Sequence, residues 1–102
     1  MGTVPNDPVL PLFSYSISVM EILAGKVMNY YRTIGVASIH IIDFLEVGNS
    51  VHIKGHTTNF DQRVESLQIR HQQVRRASKG DIVGMKVNDY VRKHDCVYRM
   101  ED

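Results

Sequence analysis

The sequence predicts an all-β domain, a small antiparallel barrel of six or seven strands. Three observations carry that prediction. Short stretches alternate apolar and polar residues at a period of two, and glycine turns separate them at regular intervals. No stretch shows a convincing helical period, and many short strands with glycine turns suit a closed barrel. At 102 residues the chain is long enough for one domain with a single core.

Residues 1–19 stand apart as an N-terminal extension. They hold all three prolines and neither lysine nor arginine. Two readings compete for them: a tail ahead of a natural start at Met20, or an extra strand in which Phe13, Tyr15, Ile17 and Val19 alternate with serines. The barrel domain is placed at residues 20–102. Residues 25–31 form a first strand, with Val27, Tyr30 and Tyr31 as strand formers. Thr33, Ile34 and Gly35 make a turn, after which Ala37, Ile39 and Ile41 alternate with Ser38 and His40. Val51 and Ile53 share the inner face of the next strand, and residues 55–61 make a polar loop. Residues 62–69 read as one strand whose parity slips, since Val64 lies on one phase and Leu67 and Ile69 on the other. That predicts a bulge near Glu65 and Ser66. Residues 72–79 have room for one helical turn ended by Gly80. Val83, Met85 and Val87 form another inner face, and Val97 belongs to the closing strand.

Charge nearly balances, with 12 Lys and Arg against 11 Asp and Glu, so bulk charge selects no partner. The single cysteine, Cys96, excludes an internal disulfide and reads as a small core or edge residue. No apolar run is long enough to span a bilayer as a helix, and the N-terminus lacks the basic region of a secretory signal. The expectation is a cytoplasmic protein without a membrane or DNA partner.

Catalytic signatures are missing. There is no GxxxxGK[ST] loop for nucleotide phosphates, and Ser66 lies outside any G-x-S-x-G elbow, so no enzyme is expected. His52 and His56 flank a strand end, where a spacing of four does not align two metal ligands, and neither a metal nor a cofactor is expected. The positive residues around the connection after Ile69 are the candidate binding patch: Arg63, Arg70, His71, Arg75, Arg76 and Lys79, with Lys54, Arg92, Lys93 and His94 joining if the loops meet at one rim. Set against the patch is a solvated loop of mixed charge, because Glu65 and Asp81 lie close by. Tyr30, Tyr31 and Phe60 are the aromatics suited to base stacking or protein docking. Tyr30 and Tyr31 cannot both face inward on a regular strand, so one is expected outside.

The glycine order resembles the second domain of the translation GTPases, the barrel of elongation factor Tu and its relatives. The resemblance runs from Ile22 to Tyr98. It rests on Gly25-Lys26-Val27, on Leu45-Glu46-Val47-Gly48-Asn49-Ser50-Val51, on Val64 with Leu67-Gln68-Ile69, and above all on Ala77-Ser78-Lys79-Gly80-Asp81-Ile82-Val83-Gly84. Arg92-Lys93-His94-Asp95-Cys96-Val97 resembles the family's closing segment, with His94 where a glycine is usual. Gly48, Gly55 and Gly80 are expected to supply positive φ, and Ala77 a small packed position. The resemblance implies docking on ribosomal or transfer RNA. It places a partly kept nucleotide-end pocket at Gln68, which lacks the family's acidic charge, and at Asp81, followed by Ile82 in place of a polar residue. Free-standing barrels of this type exist, and collagenase-like peptidases also resemble it at their C-terminal end. Two functions follow as expectations: a non-enzymatic RNA- or ribosome-binding accessory module, or a protein-interaction module working beside a separate partner such as a peptidase-like protein.

Overall fold

The computed structural model describes residues 20–101. Residues 1–19 lie outside the described residues, together with both readings placed on them. Ten strands and no helix occur among the described residues, so none contains a helix long and apolar enough to cross a membrane. The strands are β1 (Met20–Tyr31), β2 (Val36–Ile41), β3 (Leu45–Glu46), β4 (Ser50–Lys54), β5 (Asn59–Arg63), β6 (Leu67–Ile69), β7 (Gln72–Val74), β8 (Arg76–Ala77), β9 (Ile82–Lys86) and β10 (Cys96–Glu101). Eight form one sheet in the order β5-β4-β10-β1-β2-β9-β6-β7, and β3 pairs with β8 in a separate ribbon. Every pairing is antiparallel.

The all-β class stands, while the ladder is not closed into a ring of six or seven strands. The sheet still rolls. Gln62 on the edge strand β5 donates its amide to the Lys86 carbonyl at 2.9 Å, and its side-chain oxygen accepts the Asn88 N–H at 2.7 Å. These bonds bring β5 beside the end of β9, from the other side of the sheet. A single core fills the space between, and Ile39, Ile41, Leu45, Ile53 and Leu67 are fully buried. Each such side chain contributes about 1.5–3 kcal/mol relative to exposure.

Period-two alternation places the inner faces as the sequence implies: Ala37, Ile39 and Ile41 on β2, Val51 and Ile53 on β4, Val83 and Met85 on β9, with Val87 just beyond. The turn at residues 32–35 is present, and Gly48 and Gly80 have φ of 98° and 94°. Ala77 is fully buried.

Five local expectations change. β1 is longer than residues 25–31 and carries two register shifts, between Leu23 and Gly25 and between Val27 and Asn29. These breaks let one strand pair β10 with its first half and β2 with its second. Residues 62–69 are not one bulged strand. Val64 leaves the ladder, its N–H bonding the Asn49 carbonyl and its carbonyl accepting the Gly48 N–H, both at 2.8 Å, and β6 begins afresh at Leu67. The polar loop is shorter than expected, because Asn59, Phe60 and Asp61 already pair with β4. Residues 72–79 hold the short strands β7 and β8 instead of a helical turn. β10 lies between β1 and β4, near the centre of the sheet and not at a closing seam.

Outside the rolled sheet, His52 on β4 presents both ring nitrogens to acceptors. Nδ1 lies 2.6 Å from a Glu21 carboxylate oxygen and Nε2 lies 2.5 Å from the Asn59 side-chain oxygen. The Asn59 bond and then the Glu21 bond raise the His52 pKa above its ordinary 6.5. The same histidine lowers Glu21 below its ordinary 4.5. The His52 contribution to stability is therefore complete below pH 6.5 and is lost as pH rises through the raised folded value. The Glu21 contribution is complete above pH 4.5 and is lost as pH falls through the lowered folded value. Thermal melts of the native chain and Glu21→Gln should differ most between those two values and converge on either side. A difference that stays constant from pH 4 to pH 9 would rule the pair out as a source of stability.

Candidate functional site

The outward-facing residues of β1, β2, β9 and β6 build a shallow groove. Register fixes its floor. Gly84 pairs with Ser38 on one side and Gln68 on the other, and the three present little side-chain bulk in a row. Val36 and Lys86 form the next row, while His40 and Ile82 border the other side. The groove encloses about 400 Å³ and is walled by Tyr31, Ile34, Val36 and Ile82, with Arg70 and His71 at one end. Ile34 and Ile82 are 66 % and 52 % exposed, a degree that marks them as unpartnered apolar surface.

Arg70 and His71 occupy the two-residue turn between β6 and β7, where Ile69 pairs with Gln72. Both have positive φ, 52° and 67°. That is the backbone of a type I′ hairpin, which ordinarily carries Asn-Gly. An arginine and a histidine side chain are held there against local preference. Neither forms an ion pair among the described residues.

A second shallow depression of about 390 Å³ lies beside the first, bordered by Lys26, Met28, His40, Lys93 and His94. His94 has φ of 79°, at the position where a glycine was expected. Its N–H bonds the Val27 carbonyl at 2.8 Å, which anchors this loop to β1. His40, on the border of the second depression, pairs with both Lys26 and Ile82, and Ile82 lines the first.

The predicted patch is therefore divided. Gln68, Arg70 and His71 line the groove, and Asp81 stands at its margin, where Oδ2 accepts the Ser78 N–H at 2.8 Å. Arg63 turns away and donates to the Gly48 carbonyl at 3.0 Å. Arg76 stacks 4.0 Å from the Phe44 ring centre and lies 4.0 Å from Glu46, and Arg75 and Lys79 are exposed elsewhere. Lys93 and His94 do join cations, but those of β1 and β2. Lys54 lies 3.9 Å from Glu21 and over the Tyr98 ring. Of the aromatics, Tyr31 is exposed on the groove wall, as expected for one of the two tyrosines. Tyr30 packs 5.9 Å from Tyr90, and Phe60 rests half-buried against the core. Sequence reasoning missed Lys26, Ile82 and Gly84 as surface neighbours. The outward phase of His40 was legible, but only strand register places it beside Ile82. Among the described residues no group of three His, Cys, Asp or Glu is placed to hold a metal.

A small all-β module with an open cationic and apolar outer face is the class these features define. No family model matches the chain. It is 39 % identical over 83 residues to an uncharacterized protease of Methanocaldococcus jannaschii, an alignment covering 80 % of this chain and 20 % of that protein. It is 34 % identical over 83 residues to a collagenase of Porphyromonas gingivalis, covering 79 % of this chain and 20 % of the collagenase. The chain thus spans about a fifth of the length of these curated relatives. Two crystal structures of the C-terminal domain of a Geobacillus thermoleovorans protein assigned to the U32 peptidases share the fold. Their TM-scores are 0.71 and 0.73 at 23 % and 24 % identity, covering 74 % and 79 % of this chain and 95 % and 93 % of those domains.

These matches overturn the elongation-factor resemblance. The sequence relatives are a protease and a collagenase, and the shared fold is that of a U32 peptidase C-terminal domain; neither is a translation factor or a ribosomal protein. The shared glycine order misled because turns at positive φ and close strand crossings demand the same residues in any small rolled sheet.

Proposed function

We propose that the chain is a non-catalytic module that works with a peptidase-like catalytic unit through protein contacts. The observation that carries this reading is the 39 % identity, over four-fifths of the chain, to a fifth of an archaeal protease. The absence of a nucleophile elbow in the sequence favours a supporting role over a catalytic one. The Gln62 bonds across the roll favour a barrel whose seam is closed by side chains and not by ladder pairs.

The test is light scattering of the purified full chain with a peptidase-like protein from which the matching fifth has been deleted. A one-to-one complex that survives ribonuclease is expected. Two species that elute separately at micromolar concentration would contradict the reading.

A further inference from the structure

The outer face carries a charge pattern that this module reading leaves unused. One row crosses four strands: Lys26 on β1 pairs with His40 on β2, which pairs with Ile82 on β9. Extending the Gln68–Gly84 register by two residues brings Arg70 alongside Ile82, and both line one shallow pocket. An exposed isoleucine, with His40 beside it, therefore sits between two sets of basic residues, Lys26 with Lys93 on one side and Arg70 with His71 on the other.

Three strand spacings separate the ends of this row, about 14 Å in all. An extended polypeptide advances about 3.4 Å per residue and shows side chains i, i+2 and i+4 on one face. Carboxylates at i and i+4 are thus spaced like Lys26 and Arg70, and an apolar side chain at i+2 falls between His40 and Ile82, beside the Gly84 depression. Backbone strain marks the same place. Arg70, His71 and His94 are the only non-glycine residues with positive φ among the described residues, and all three border this face. Local strain of this kind persists where the side chains held there are needed.

We propose that this face docks an extended segment of a substrate polypeptide in which an apolar residue is flanked, two positions to each side, by Asp or Glu. The proposal rests on the module reading for the source of that polypeptide and deepens it by naming the chemistry recognised. An unfolded chain suits the site because the groove is shallow and open, so a segment must lie flat and fully extended to reach both basic sets.

The experiment is fluorescence anisotropy of the full chain with a labelled twelve-residue peptide, blocked at both ends and centred on Glu-Ser-Leu-Ser-Glu. Binding should weaken at least tenfold when both glutamates become lysine, or when leucine becomes serine. The paired change Arg70→Asn with His71→Gly installs the favoured turn sequence. It should raise the melting temperature while weakening the peptide at least tenfold, which separates loss of binding from loss of folding. Gly84→Val fills the depression from an unstrained backbone, since an added Cβ lies 3.5 Å from Val36, and should also weaken binding. Equal affinity for the lysine peptide, unchanged affinity in the Arg70/His71 variant, or displacement of the peptide by a twelve-nucleotide RNA at equal concentration would overturn the proposal. Light scattering with the truncated peptidase-like protein, run on the same variants, keeps the two readings apart. A persisting complex without peptide binding removes only the docking site, and peptide binding without a complex removes only the module reading.

Discussion

Gly55→Ala should destabilise the fold by about 3 kcal/mol, the range of severe overpacking, and lower the melting temperature by 12 °C or more, roughly. The reason is space, not backbone angle, which corrects the expectation of a positive φ at this position. A Cβ on Gly55 would lie 1.8 Å from Asp95 Oδ1 and 2.6 Å from its Cγ. Asp95 is not free to swing away. It is 4 % exposed, its Oδ2 accepts the Arg92 N–H at 2.8 Å, and its backbone carbonyl accepts the Val27 N–H at 2.9 Å. The collision thus disrupts the loop before β10 and its anchor on β1. Two controls sharpen the result. Gly84→Ala meets only Val36 at 3.5 Å and should change stability by less than about 1 kcal/mol, because alanine suits a strand at least as well. Asp95→Ala loses the turn bond on its own, but in that background Gly55→Ala should have little further effect. Additive losses in the double variant would show that the carboxylate is not the obstacle.

Arg99→Ala is the second large effect, with an expected loss of about 3 kcal/mol, because truncation empties the buried space of a long side chain and leaves the Phe44 carbonyl without its donor. Arg99 points toward the interior from β10 and is 3 % exposed. Its Nε donates to Glu101 at 2.6 Å and its Nη1 to Asp43 at 3.1 Å and to the Phe44 carbonyl. The guanidinium carbon lies 3.7 Å from the Phe44 ring centre, and that of Arg76 lies 4.0 Å from it, which leaves room for them only on opposite faces. One planar fork serves three acceptors and one ring, a task that a lysine ammonium cannot match. Arg99→Lys should therefore fall closer to alanine than to the native chain in urea denaturation. Arg99→Met keeps the packing volume and should recover part of the loss, since Asp43 and Glu101 are 46 % and 41 % exposed and remain hydrated without a partner. Arg76→Met should cost less than about 1 kcal/mol, because that side chain is 53 % exposed. A full native stability for Arg99→Lys would contradict the account of this end of the sheet.

The all-β class was legible because alternation at β2, β4 and β9 is a direct image of one buried and one exposed face. The long β1 was not, since two register shifts erase its period. Gln62 and Val64 are both buried, yet Val64 pairs outside the main ladder, so a single-strand reading had to invent a bulge. The candidate face was harder still. Lys26, His40, Ile82 and Arg70 are spread from position 26 to position 82 and become neighbours only through register. Clustering in sequence drew attention to Arg75 and Arg76, which the β7–β8 connection carries away from the groove. Arg99 gave no signal, because nothing in one sequence distinguishes a buried arginine in a strand from an exposed one.

The most direct test of the central claim is peptide hydrolysis by a peptidase-like protein lacking its matching fifth, assayed alone and with the full chain added in trans. The account predicts no hydrolysis by the chain alone and a rise in the truncated protein's rate when the chain is added. Hydrolysis by the chain itself, or a rate indifferent to its presence, would contradict the claim that this is a non-catalytic partner of a peptidase-like unit.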